Sequence, residues 1–254
     1  MSTALAPPPS LVGGTAAVYT GQLSRAKAAR GPLLFVATLQ SVGILLLLRG
    51  VVDEKDAATA QQVVAGSTVL VVAFVALNLL AQRFGALRAD GGLDHYAALP
   101  VPAPAVVLGT AAAYATFTVP GAVVTAVTGC LLYGLPLAHL WVLLPVLPLA
   151  GASLAGLGAL LGLLAPRPEL ATVAGQLGMS AVLFLGIVPA DRMPLVLQAV
   201  RALLPSSYAA DALAGALGPR VEAGDLLADL AVCVVAAVAS LVLASLAYRR
   251  VVRR

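Results

Sequence analysis

The chain has 254 residues, 61% of them hydrophobic and only 10% charged, where soluble domains carry about 45–50% and about 25%. With 15 Lys and Arg and 11 Asp and Glu it lacks the polar surface of a soluble globule. The same hydrophobicity excludes disorder, and a mean hydropathy of +1.00 describes an all-α integral membrane protein.

A spanning helix needs roughly 20 mostly apolar residues, and six stretches of the chain qualify. Residues 1–14 read as a flexible tail, after which Arg25, Lys27 and Arg30 precede the apolar run Leu33–Leu48. The long lead and the charged Asp53-Glu54-Lys55-Asp56 that follows argue for a retained first helix, Pro32–Val52, rather than a cleaved leader. The second span covers Val63–Gln82 and the third Pro104–Tyr133. The fourth runs over Ala138–Ala165, with Pro145 and Pro148 as expected kinks. Leu170–Pro189 and Leu226–Tyr248 complete a six-helix bundle over 32–248, and 249–254 form a basic tail.

With the N-terminus placed inside, ten of the 15 basic residues fall on the inner side: Arg25, Lys27, Arg30, Arg83, Arg88, Arg167, Arg249, Arg250, Arg253 and Arg254. Lys and Arg accumulate in short cytoplasmic loops, so both termini are expected in the cytoplasm. Eight of the 11 acids fall outside, in agreement.

Two connections stand out. The first, Gln82–Pro100, is the most polar part of the interior chain. Gly91-Gly92 interrupts any continuous helix there and Pro100 stops Leu93–Leu99, which predicts a short helix across the membrane surface. It sets Arg83, Arg88, Asp90 and Asp94 beside apolar Leu93, Tyr96 and Leu99. Apolar anchors rimmed by charge suit a protein contact; the alternative is a charged loop that serves topology alone. The second connection, residues 194–217, is apolar but broken by Arg201, Pro205 and Asp211. It predicts two short amphipathic helices, 194–204 and 206–217, the second opened by Ser206 or Ser207 as N-cap. Neither half is long enough to span.

Reaction chemistry is sparse. Cys130 and Cys233 lie in apolar runs and read as buried hydrophobes. His95 and His139 stand apart with no partner at ligand spacing, so no metal site is expected. No Asp, Glu, Lys or His sits near the centre of a span, which argues against a proton-coupled pump. Gln40, Ser41, Asn78, Thr116, Thr118, Thr125, Thr128, Ser153, Gln176 and Ser180 supply only mild polarity, read mainly as packing and interhelical hydrogen bonds. Asn78 and Gln176 are the best candidates for lining a path. Gly151, Gly156, Gly158 and Gly162 space a close-packing stripe along the fourth span. The two lysines, Lys27 before Ala28 and Lys55 before Asp56, stand in no phosphate-binding loop, so ATP is not expected to bind this chain by that motif.

Three passages together resemble the permease subunits of type-2 ATP-binding-cassette (ABC) exporters. Arg25, Lys27 and Arg30-Gly31-Pro32 resemble the family's amphipathic N-terminal helix and its basic face. Arg88, Asp90, Gly91-Gly92-Leu93-Asp94, Leu99-Pro100 and Gly109 resemble its coupling region, and Arg83 and Tyr96 fall in the same stretch. Pro194, followed by Leu203-Leu204-Pro205-Ser206-Ser207-Tyr208-Ala209-Ala210-Asp211-Ala212-Leu213, is similar to the outer re-entrant hairpin before the last helix.

The resemblance implies a plasma-membrane permease without catalysis of its own. It implies a second permease copy or homologue, and a separate ATP-binding subunit that carries ATP and Mg. The substrate would be hydrophobic, amphipathic or lipid- or glycan-like; nothing points to nucleic acid. A secondary transporter, a membrane-embedded enzyme and a non-transporting scaffold are the competing readings.

Overall fold

The computed structural model describes residues 10–25, 30–50, 56–188, 193–218 and 221–252. Among them the chain is all helix and turn, with no strand. We number the helices α1 Leu11–Arg25, α2 Arg30–Arg49, α3 Ala57–Ala89, α4 Gly92–Ala97 and α5 Ala103–Tyr133. Then follow α6 Leu137–Leu164, α7 Pro168–Ile187, α8 Leu195–Leu203, α9 Pro205–Ala216 and α10 Ala223–Val252.

Five of these, α3, α5, α6, α7 and α10, are long and apolar enough to cross a membrane. The expected first span is helical as α2, but its apolar part is the shorter Leu34–Arg49, about 24 Å at 1.5 Å per residue against a core of about 30 Å. The polarity is inside-out for a soluble protein. Phe35, Leu47, Leu131, Leu144, Leu177, Phe184 and Val235 all point outward, as they do when hydrocarbon is the solvent.

α3 is the central helix, its apolar middle almost wholly buried. Asp56 caps its start by accepting from the Thr59 amide at 3.1 Å. It runs antiparallel to α5, with Val64 against Gly129 and Val71 against Gly121. It also runs antiparallel to α7, with Gly66 on Gly186 and Gly85 on Ala171. α2 lies along α5 in the same sense: Thr38 meets Gly121, and the Tyr133 hydroxyl donates to the Leu45 carbonyl at 2.9 Å. α1 also follows α5, with Val18 on Gly109 and the Tyr19 hydroxyl 3.3 Å from that of Thr116.

The glycine stripe packs α6 against three different helices, Gly151 lying against Ala115 of α5. A Cβ on Gly158 or Gly162 would fall on the backbone of α3, and one on Gly156 would meet Ser240 of α10. Where the glycines of α6 and α7 press on it, α3 loosens into a π-helical stretch, Ala73–Leu79. The cause lies on the neighbouring helices, so composition gave no sign of it.

Several expectations change. The second span is helical well past Gln82, so Arg83 and Arg88 belong to α3 and the connection proper starts at Asp90. Pro145 falls in the first turn of the regular part of α6, where a missing N–H leaves no orphan acceptor; Pro148 is interior, and so is Pro120 of α5. Neither Ser206 nor Ser207 caps α9: Leu204 is the N-cap and Pro205 takes the first helical position. The hydroxyls expected to join helices mostly bond their own backbone, as Thr118 does to Ala115 and Ser153 to Ala150. Ser41 and Thr125 have no partner for theirs among the described residues; Thr116 of α5 meets the Tyr19 hydroxyl of α1, and Ser240 of α10 reaches across to the Ser153 carbonyl of α6. Arg249 and Arg250 continue α10 as helix. Lys27, Lys55, Arg192, Arg220, Arg253 and Arg254, and the side chains of Arg25 and Arg30, lie outside the described residues.

Candidate functional site

The chain presents two constructed ends. At the first, α3 stops at Asp90, and Gly91 turns the backbone at φ +68°, a left-handed conformation suited to glycine. Gly92 then opens α4 in close contact with Leu87. The double glycine thus starts the short helix as well as breaking the long one. After Ala97 the chain turns through Leu99 and Pro100, and Pro102 caps α5.

α4 has an inner and an outer face. Leu93 and Tyr96 are buried within the chain itself, the Tyr96 hydroxyl accepting from Gln22 of α1 at 3.0 Å. They are therefore not the exposed anchors the sequence suggested. Asp94, His95, Leu99 and Pro100 face outward. Arg88 is committed to the fold: its NH1 donates at 2.8 Å to the carbonyls of Leu163 and Ala165. Those oxygens close the last turn of α6, where helix carbonyls lack partners and the dipole favours a cation. Arg83 is half-buried on α3, and Asp90 is exposed at its end.

At the second end, α8 and α9 form the predicted pair of short helices, hinged at Leu204-Pro205. Pro194 caps α8, and the Tyr208 hydroxyl donates to the Ala202 carbonyl at 2.9 Å across the hinge. Arg201, only 8% exposed, turns under the pair. Its Nε donates to the Leu185 carbonyl at 2.9 Å, its NH1 reaches Asp211 Oδ2 at 2.9 Å, and its NH2 meets Asp211 Oδ1. Gln62 of α3 donates to the Gly186 carbonyl at 2.8 Å and to Asp211 at 3.3 Å. This forked ion pair places both charges of the hairpin where each satisfies the other. Arg201 and Gln62 together also occupy the Leu185 and Gly186 carbonyls near the end of α7.

The two path candidates separate. Asn78 is sealed between α3 and α7, its Oδ1 accepting from Gln82 at 3.0 Å. Gln176 faces outward beside exposed Val173 and Leu177. Sequence reasoning missed the Arg201–Asp211–Gln62 clamp. It also missed a cavity of about 680 Å³ lined by Asp211, Glu222, Asp225 and Asp229. The spacing of Asp225 and Asp229, one helical turn apart, was the available signal for the cavity.

The described residues form a multi-pass helical bundle with a short helix at one end and a folded-back helical pair at the other. The family model of the ABC-2 type transporter matches residues 18–217, and the chain belongs to that family: it is an ABC permease subunit. No curated protein matches it.

Proposed function

We propose that the chain is the permease subunit of an ATP-driven exporter, with α2 as the sixth span and both termini on the cytoplasmic face of the plasma membrane. The Tyr133–Leu45 contact supports a spanning α2, since it carries that helix to the far end of α5. The excess of basic residues at the loop end supports the orientation. A separate ATP-binding subunit carries ATP and Mg, and a second permease copy or a homologue completes the path. The cargo is hydrophobic, amphipathic or lipid- or glycan-like.

One observation carries the mechanism: α3 is a single buried rod that reaches both constructed ends. Its loop end holds α4 and the exposed Asp94, His95 and Leu99. Its other end carries Gln62 into the hairpin clamp. Closure of the ATPase pushes on the outer face of α4, the rod shifts among its glycine contacts, and Gln62 works the hairpin. Coupling of this kind needs a contiguous packed element biased at both ends.

The test is co-expression with a candidate ABC-type ATP-binding subunit. The two proteins should co-purify, and the isolated permease should show no saturable ATP binding. Failure of any ATPase to associate, or ATP binding by the permease alone, contradicts the reading. Cysteines introduced at Ser2 and Arg254 should resist labelling from outside intact cells; labelling of either contradicts the orientation.

A further inference from the structure

A trough runs along the lipid-facing side of the bundle between α5 and α10. It is made of two adjoining cavities that share Leu108 and Leu241. The one nearer the loop end, about 410 Å³, is walled by Pro104, Val238, Val242 and Leu246 and closes on Arg249. The deeper one, about 470 Å³, follows Ala112, Thr116 and Val119 of α5 to Pro148 and Ala152 of α6. The wall is mainly apolar: beside Thr15 of α1, the hydroxyls that line it are engaged by their own helices, Thr116 also meeting the Tyr19 hydroxyl of α1. Thr116 donates to the Ala112 carbonyl at 2.9 Å and Ser245 to that of Leu241 at 2.7 Å. Small side chains at Ala111, Ala112, Ala115 and Ala152 open the trough.

From Pro104 to Val119 the trough rises about 22 Å, close to half of a bilayer of about 40–45 Å with its headgroup regions. It therefore runs from the membrane surface at the loop end to about the midplane, one leaflet deep. At the surface end stands the guanidinium of Arg249, exposed and with no carboxylate partner among the described residues. An occupant must be apolar for one leaflet and anionic at its head. A second copy of the chain does not satisfy this: a two-fold contact through the trough would offer Arg249 only the trough's own residues, and none of those lining the two cavities is acidic.

We propose that the trough binds one acidic glycerophospholipid, an acyl chain lying along Leu108, Ala112 and Thr116 and the phosphate on Arg249. Basic residues at the cytoplasmic end of a span attract anionic headgroups. Only the assignment to the cytoplasmic leaflet rests on the orientation proposed above. A lipid wedged between α5 and α10 braces two helices against each other on the face away from the α3–α7 contact.

The detergent-purified full chain, exchanged into a mixture of phosphatidylglycerol and phosphatidylcholine, tests this by native mass spectrometry. One phosphatidylglycerol should be retained in preference. Arg249→Gln should lower that preference about fivefold, the effect of one basic residue near an anionic surface. Arg250→Gln should leave it unchanged, because Arg250 lines a different cavity with Arg88 and Asp94. Ala112→Phe, which fills the trough from an exposed position, should displace both lipids; Thr116→Leu, one turn further, gives the same reading if the first variant fails to fold. Excess inorganic phosphate should displace nothing. Equal loss in the two arginine variants, lipid retained when the trough is filled, or displacement by phosphate overturns the proposal. The lipids are mixed without sidedness, so a reversed topology would leave this result intact and appear only in the cysteine labelling.

Discussion

Both constructed ends of the molecule use an arginine to finish a helix, and they use it differently. Arg201 ends α7 through the Leu185 carbonyl while locked to a carboxylate, almost out of reach of solvent. Arg88 ends α6 through two carbonyls with no carboxylate partner among the described residues. The hairpin end is thus a closed electrostatic unit whose members depend on one another. The loop end is a capped platform that leaves Asp94, His95 and Leu99 outside. A closed unit suits a part that must switch between defined positions, and an open platform suits a part that meets another protein.

The comparison breaks most sharply at Arg201. Arg201→Met leaves Asp211 and the end of α7 without their partner. We expect a loss of about 3 kcal/mol, toward the low end for a buried pair because Asp211 is one-third exposed. A thermal unfolding midpoint in micelles lowered by roughly 6–12 °C would record it. The double variant Arg201→Met, Asp211→Leu should recover much of the loss, which a cap acting alone does not allow.

Arg88→Met removes two charge-assisted hydrogen bonds but strands no opposite charge. Both bonds come from the one partly exposed nitrogen, where water can take its place, so the expected effect is that of a single charged hydrogen bond, about 1.5–2 kcal/mol; a loss equal to that of Arg201→Met in the same assay would erase the distinction between the ends. Gly91→Ala strains the left-handed turn before α4 by about 1 kcal/mol, visible as faster proteolysis between α3 and α5. Leu99→Asp, on the exposed face, should leave stability within about 0.5 kcal/mol. It should nevertheless weaken ATPase association in a pull-down.

Five of the six expected spans were legible because hydrocarbon demands long apolar runs, and the pair of short helices because Pro205 and two charges interrupt the run between them. Helix limits were less so. Gln82–Ala89 turns polar where α3 leaves the apolar zone, and polarity there marks the surface rather than the end of the helix. The facing of α4 was misjudged since Leu93 and Tyr96 suit an external contact and an internal one equally in composition. The clamp was hidden for a further reason. Arg201 and Asp211 are ten residues apart on two helices joined at a proline, and no helical period relates them; only the fold-back brings them together, and Gln62 joins from far along the chain.

The most direct test of the central claim, that α3 carries motion from the loop end to the hairpin, is a distance measurement in the reconstituted complex. Spin labels replace Leu203 on α8 and Leu131 at the far end of α5, both exposed, and the distance is read with and without ATP. An ATP-dependent shift is expected that is lost in Gln62→Ala, although the ATPase still binds and hydrolyses ATP, and lost also in Leu99→Asp. An undiminished shift in Gln62→Ala would contradict that claim.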